Sequence, residues 1–358
     1  MTSTPELLSC ADDLTPDRLS ELLGGTVRAV TVERIGTGQI GTCHRAVLSG
    51  EDVPVSVIVK LPIADPGTRR MLAGAYRGEV HFYTDIAATV AVRTPVCHHA
   101  ALGDDGEFTL LLEDAAPAAP GDQLTGCTVE QAHDAVRNLA GLHGPRWCDE
   151  SLHELDFLTP TDAAQARLLA ELYGPAIETF ADDLGDLVSA EDHALLRACA
   201  EVTERWILAR SQRFALLHGD YRLDNLLFPP DGAAGVTAVD WQTLTVGLPA
   251  RDLAYFVATS LPPEVRRAHE RDLVATYHRA LLGHGVVGYS FEQCWDDYRF
   301  ALLQGPLVAV FGCAYGVRTP RGDRMFATMV ARSCAAIRDL DGLTVVTADV
   351  DGDDARVM

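Results

Sequence analysis

Lysine is all but missing from this chain: of 29 basic residues, Lys60 is the sole lysine and the others are arginine. Basic charge as a whole is scarce, with 29 Lys+Arg against 51 Asp+Glu and a formal net charge of -22. That balance excludes the electrostatic footprint of a nucleic-acid or anionic-membrane binder. It suits a cationic substrate, or simply a solvated acidic surface. There is no Cys-x-x-Cys. The nine cysteines (Cys10, Cys43, Cys97, Cys127, Cys148, Cys199, Cys294, Cys313 and Cys334) are scattered and odd in number. This excludes a zinc ribbon or a disulfide framework and points to reduced thiols. Residues 1–23 lack the basic start and apolar core of a signal peptide, so a cytoplasmic location is expected. The longest apolar run, 300–317, is interrupted by Gln304, Pro306 and glycines and is short for a membrane span, so no membrane insertion is expected. No internal repeat is found. A chain of 358 residues that is 47% hydrophobic and 22% charged reads as a soluble globular protein of one or two domains.

What is present centres on residues 215–228. The polar octet His218-Gly219-Asp220-Tyr221-Arg222-Leu223-Asp224-Asn225 lies between two short apolar runs, Ala215-Leu216-Leu217 and Leu226-Leu227-Phe228. Such runs read as buried strands, so the octet is a loop held at both ends, and loops on a rigid scaffold concentrate catalytic groups. A second strand-like run, 236–239, ends at Asp240. A carboxylate to accept a hydroxyl proton (Asp220), an amide oxygen (Asn225) and a second carboxylate (Asp240) form a phosphoryl-transfer set. The last two are hard oxygen donors suited to Mg²⁺. Each dipeptide alone is ordinary turn chemistry; the ordered combination at strand–loop junctions is what carries the signal.

The octet, with Val239-Asp240-Trp241-Gln242 and Arg251-Asp252-Leu253-Ala254-Tyr255-Phe256, resembles the aminoglycoside phosphotransferase/choline kinase superfamily, and within it the ecdysteroid-kinase-like branch. The octet also resembles the kinase-like domain attached to some acyl-CoA dehydrogenases. The resemblance implies an α+β, bilobal, protein-kinase-like fold. It also implies a cytoplasmic enzyme that uses ATP and Mg²⁺ to phosphorylate a hydroxyl of a small molecule, with ATP between the lobes. The expected layout is an N-terminal extension (1–24) and a nucleotide-binding N-lobe of antiparallel strands with one helix (25–114). A hinge (115–121), a helical C-lobe carrying the catalytic loop and acceptor site (122–340) and a frayed acidic tail (341–358) follow.

Within the N-lobe, Gly36-Thr37-Gly38-Gln39-Ile40-Gly41 matches G-x-G-x-x-G. A dinucleotide site would require a helix next, but 43–48 reads as a strand. Gly36, Gly38 and Gly41 are therefore either a phosphate-covering flap or a plain glycine-rich turn. Lys60 closes a strand run at the position of the kinase strand lysine. A compact ammonium is not replaceable by arginine's planar fork there. The spacing predicts a helix over 69–90 with Glu79 on its packing face; a carboxylate there needs a cation, and Lys60 is the natural partner. The strand 108–114 runs into an Ala/Pro/Gly segment where the resemblance places the adenine against the backbone of Glu113 and Ala115. His143 and His218 read as structural, Asp252 as a cap or loop brace. The Ser/Thr kinase forms His-Arg-Asp and Asp-Phe-Gly are absent, which argues against a protein kinase. A nucleotide-binding pseudokinase or adaptor is the rival class, and the complete Lys/Asp/Asn/Asp set argues against it. Aminoglycosides, aminosugars, other alcohols, sterol-like alcohols and hydroxyacyl-CoA thioesters all fit as acceptors.

Overall fold

The computed structural model describes residues 7–36, 40–158 and 160–357. The chain divides into two compact units. The first takes the chain up to Thr89, then Thr94–Pro117, and regains Val239–Leu244. It begins with helix α1 (Pro16–Leu23), capped by Thr15 and ended by Gly24 at φ 71°. Its sheet holds β1 (Thr26–Ile35), β2 (Gly41–Glu51) and β3 (Ser56–Pro62). Helices α2 (Pro66–Met71) and α3 (Ala73–His81) follow. Strands β4 (Cys97–Leu102) and β5 (Phe108–Glu113) complete an antiparallel five-stranded sheet in the order β1-β2-β3-β5-β4.

Alternation in β2 and β3 sends Ala46, Leu48, Val57, Val59 and Leu61 to one face, where they pack with Leu8, Leu14, Leu19 and Leu22. Four leucines of the N-terminal extension therefore belong to this unit's core. The single helix expected over 69–90 is divided at Leu72 into α2 and α3, with a π turn at Phe82–Ile86. Asp65 caps α2 by accepting the Thr68 N–H at 2.7 Å.

The second unit is mainly helical. It opens with the short strand β6 (Ala119–Pro120) and α4 (Val129–His143), whose capping box between Thr128 and Gln131 forms as the sequence predicts. The hairpin α5 (Ala163–Leu184) and α6 (Ala190–Leu208) leads to β7 (Ala215–Leu217), β8 (Leu226–Phe228), β9 (Thr237–Ala238) and β10 (Thr245–Gly247). These strands form the pair β10-β7 and the ribbon β6-β8-β9. The helices α7 (Ala250–Ser260), α8 (Pro263–Gly283), α9 (Phe291–Phe300), α10 (Gln304–Tyr315), α11 (Pro320–Asp339) and α12 (Gly342–Val357) complete it. No described helix is long and apolar enough to cross a membrane.

The expectation of a frayed tail is corrected. Residues after 341 form α12; Val346 is fully buried, and Asp349 accepts from Arg210 Nε at 3.1 Å. Arg210 also donates to the buried Asp297 at 2.7 Å, and Asp297 accepts from Arg213 (2.7 and 2.6 Å) and the Tyr289 hydroxyl (3.0 Å). Deleting 342–358 should thus cost about 2 kcal/mol or more from Val346 alone, read as a lower urea midpoint; an unchanged midpoint would show that α12 is dispensable.

Candidate active site

In the first unit, β3 delivers Lys60 and α3 delivers Glu79. Lys60 Nζ lies 2.5 Å from Glu79 Oε1 and 3.3 Å from Asp240 Oδ1. Glu79 is fully buried, whereas the Asp240 side chain is 42% exposed and can meet a ligand. Burial pulls the Lys60 pKa down, but Asp240 and Glu79 outweigh it and hold the ammonium above the usual lysine range. Burial raises the Glu79 carboxyl. Asp240 has φ 71°, a left-handed conformation that aspartate tolerates better than most side chains.

Trp241 explains why Asp-Trp-Gln serves here. Its N–H donates to Glu79 Oε1 at 3.3 Å, and its ring stacks on Phe82 at 3.5 Å and 8°. Its indole N–H reaches Thr94 at 3.3 Å. Phe82 lies three residues after Glu79, so the ring contact ties the Asp240 segment to the glutamate's own helix.

β1 and β2 pair antiparallel, Ile35 opposite Cys43, and a strand opens at Gly41 where a dinucleotide site would need a helix. Gly36 has φ 68°, which favours glycine, and a Cβ at Gly41 would come 2.9 Å from the Leu61 carbonyl oxygen, which leaves no room for a side chain there. Gly38 lies outside the described residues. At the end of β5, the Glu113 N–H donates to the Val96 carbonyl (2.8 Å) and its carboxylate accepts the Val96 N–H (3.1 Å). Ala115 follows, half-buried.

In the second unit, the loop 218–225 hangs from Asp252 at the start of α7. Asp252 accepts the N–H groups of His218 (2.6 Å) and Gly219 (3.0 Å), so it braces the loop and does not cap the helix. His218 accepts the Asp220 N–H at 3.3 Å through Nδ1. His143 is buried between the Tyr277 hydroxyl (2.7 Å) and Asp252 (3.4 Å). Both histidines support the loop.

Asp220 receives three side-chain donors. The Tyr255 hydroxyl donates to Oδ1 at 2.8 Å; Arg222 Nε (3.0 Å) and Asn225 Nδ2 (2.9 Å) donate to Oδ2. An ionised carboxylate offers about four lone-pair positions, so among the described residues one is left, on Oδ1. Asn225 spends its amide N–H groups on Asp220, through both the carboxylate and the backbone carbonyl at 2.9 Å. Among the described residues no donor bonds its amide oxygen, the atom a hard cation would take.

Tyr255, Arg222 and Arg321 carry no role in the motif but bond to Asp220 or Asp224 in the fold. Tyr255 had a readable signal: it follows Asp252 by three positions, so the helical period puts both on one face of α7. Arg222 bridges Asp220 and Asp224 (3.0 Å each), and although burial opposes it, Asp220 and Asp224 hold its guanidinium above its usual range. Asp224 in turn accepts two bonds from Arg321, each 3.0 Å.

Comparison with known proteins bears on the fold and the family. In mouse (Mus musculus), "Acyl-CoA dehydrogenase family member 10" is 45% identical over 60 residues, which is 15% of this chain and only 6% of that protein. Among solved structures, a Ralstonia eutropha JMP134 protein assigned as an aminoglycoside phosphotransferase has TM-score 0.57 and 16% identity, covering 93% of this chain and 97% of that one. Choline kinase from Cryptosporidium parvum Iowa II has TM-score 0.55 and 10% identity, covering 90% and 93%. The aminoglycoside phosphotransferase APH(2'')-Ib, solved with ADP bound, has TM-score 0.51 and 13% identity, covering 88% and 97%. At these identities the shared property is the fold, which is kinase-like. The model of the ecdysteroid kinase-like family matches residues 40–285, more than half of the chain. The chain therefore belongs to the ecdysteroid kinase-like family.

Proposed function

We propose that this chain is a small-molecule kinase that transfers the γ-phosphoryl group of ATP to a hydroxyl. The observation that carries the reading is the Lys60–Glu79–Asp240 cluster: the one lysine of the chain, ion-paired to a buried glutamate and to an exposed aspartate. Kinases use such a lysine on the nucleotide phosphates and such an aspartate on the metal. The donors Asp240 and Asn225 fit Mg²⁺ by type. Among the described residues no three His, Cys, Asp or Glu side chains form a metal cage. Mg²⁺ usually keeps several waters and takes one or two carboxylates plus substrate phosphates. When bound, Mg²⁺ would neutralise charge on the phosphates.

Each side chain then has one task. Lys60 holds phosphate oxygens, and Glu79 keeps it aimed. The backbone of Glu113 and Ala115 is assigned to the adenine, and Gly36, Gly38 and Gly41 to the phosphate cover. Asp220 accepts the acceptor's hydroxyl hydrogen at the remaining Oδ1 position and takes the proton as that oxygen attacks phosphorus. The acceptor is a small alcohol: an aminoglycoside or aminosugar, a sterol-like alcohol or a hydroxyacyl-CoA. A pseudokinase or adaptor would have no use for Asp220 held in this way.

Melting the protein with Mg·ATP tests the reading. At a hundredfold excess over Kd, stabilisation should be about 2.7 kcal/mol. It should be lost with EDTA and in Asp240→Ala, and retained in Asp220→Asn. Equal stabilisation in wild type and Asp240→Ala would contradict the metal assignment; none in wild type would contradict the nucleotide.

A further inference from the structure

The base is not held by its own loop alone. From Asp220 the contacts run to Arg222, from Arg222 to Asp224, from Asp224 to Arg321 at the start of α11, and from Arg321 to Asp122 at 3.0 Å. Acid and base alternate at each link, every bond 3.0 Å. The middle of this chain is enclosed: the Arg222 and Asp224 side chains are 20% and 16% exposed, and Met325 of α11 sets its sulfur 3.1 Å from the Arg222 guanidinium. The backbone of 122–123 reinforces it, with the Gln123 N–H on Asp224 at 3.3 Å and Gln123 Oε1 accepting the Leu223 N–H at 2.9 Å.

Arg321 breaks a local rule. Thr319 caps α11 and Pro320 opens it, so Arg321 sits in the first turn, where the helix dipole disfavours a cation. Its side chain is 51% exposed, and an exposed ion pair contributes little to stability. Yet it grips Asp224 with two nitrogens, one on each carboxylate oxygen, the geometry that fixes orientation. Local rules are broken most readily where function compensates.

We propose that Arg321 is a positioning residue for phosphoryl transfer: through Asp224 and Arg222 it fixes the Oδ2 side of Asp220 and so aims the remaining Oδ1 position at the acceptor hydroxyl. This rests on the kinase reading of Asp220. Arg321 touches no reacting atom; it acts through two intermediates, which is why its effect belongs on turnover and not on nucleotide affinity.

The test uses the whole chain, with water as acceptor, following ADP release from Mg·ATP; Asp220→Asn sets the floor. Arg321→Ala should lower kcat by about tenfold to a hundredfold, the scale of a misplaced reacting group, with KM for Mg·ATP and the melting temperature nearly unchanged. Arg321→Lys, which keeps the charge but not the fork, should recover part of kcat. Asp224→Asn should match Arg321→Ala, and the double variant should lose no more than either single one, as coupled residues do. Unchanged kcat in Arg321→Ala, a loss confined to KM, or losses that multiply would overturn the proposal while leaving the kinase reading intact. Mg·ATP stabilisation of the wild type without any ADP release would contradict the kinase reading, and this proposal with it.

Discussion

Asp220→Asn should lower phosphoryl transfer by about 10²–10⁴-fold, the usual contribution of a positioned general base, and leave Mg·ATP binding in place. The size of the effect follows from the hydrogen-bond census at the carboxylate. Three donors converge on Asp220, from Tyr255, Arg222 and Asn225. An amide in its place carries one oxygen and one NH₂ group. Whichever way it turns, the NH₂ meets either Tyr255 or the Arg222 and Asn225 donors, and the group can no longer take a proton. Turnover is thus lost twice, through orientation and through basicity. Lys60, Glu79 and Asp240 lie in the other unit and make none of these bonds, and Asn225 keeps its bond to the Asp220 backbone carbonyl at 2.9 Å, so nucleotide affinity should hold. Single-turnover kinetics with Mg·ATP separate the two. A variant with wild-type transfer would remove Asp220 from the reaction, and one with weakened nucleotide binding would make it a phosphate-side ligand.

The largest effect on stability should come from Asp297→Ala. Asp297 is fully buried and neutralises two guanidinium groups, Arg210 and Arg213, while accepting the Tyr289 hydroxyl. Taking it away leaves enclosed positive charge without its partner. Breaking a buried pair from one side costs about 3–5 kcal/mol. Asp296 and Asp349 still face Arg210, at 2.8 and 3.1 Å, so Arg213 bears most of the loss. Urea unfolding of the purified variant measures it. A shift under about 1 kcal/mol would show that water reaches the cluster and screens it.

How much of this was legible in the sequence depended on where the chemistry sits. The octet from His218 to Asn225 is continuous, and the bonds of Asp220 to His218, Arg222 and Asn225 join residues of that one loop. Lys60 stood out because arginine fills every other basic position. Glu79 was readable from a helical face even though α3 is shorter than the predicted helix and gives way to a π turn at Phe82. Trp241 and Phe82, 159 positions apart by number, show the limit: their stacking ties Asp240 to Glu79, and neither residue advertises the other. Arg321 reaches Asp224 across 97 positions, and only the fold brings α11 to the loop. The tail failed for a related reason. Its aspartates read as solvated, but Asp349 finds Arg210, 139 positions earlier, and Val346 is fully buried. Strand β4 was missed because Cys-His-His-Ala-Ala-Leu has little β-branched character; pairing with β5 supplies what propensity does not.

The central claim is transfer of a phosphoryl group to a small alcohol, and a pooled-acceptor experiment addresses it most directly. Wild-type protein and Asp220→Asn would each be incubated with Mg·ATP and pools of aminoglycosides, aminosugars, sterols, hydroxyacyl-CoA thioesters and a cell metabolite extract, followed by mass spectrometry. The account predicts a product heavier by one phosphoryl group that only the wild type makes. A phosphorylated product formed equally by Asp220→Asn, or the absence of any product from every pool, would contradict it.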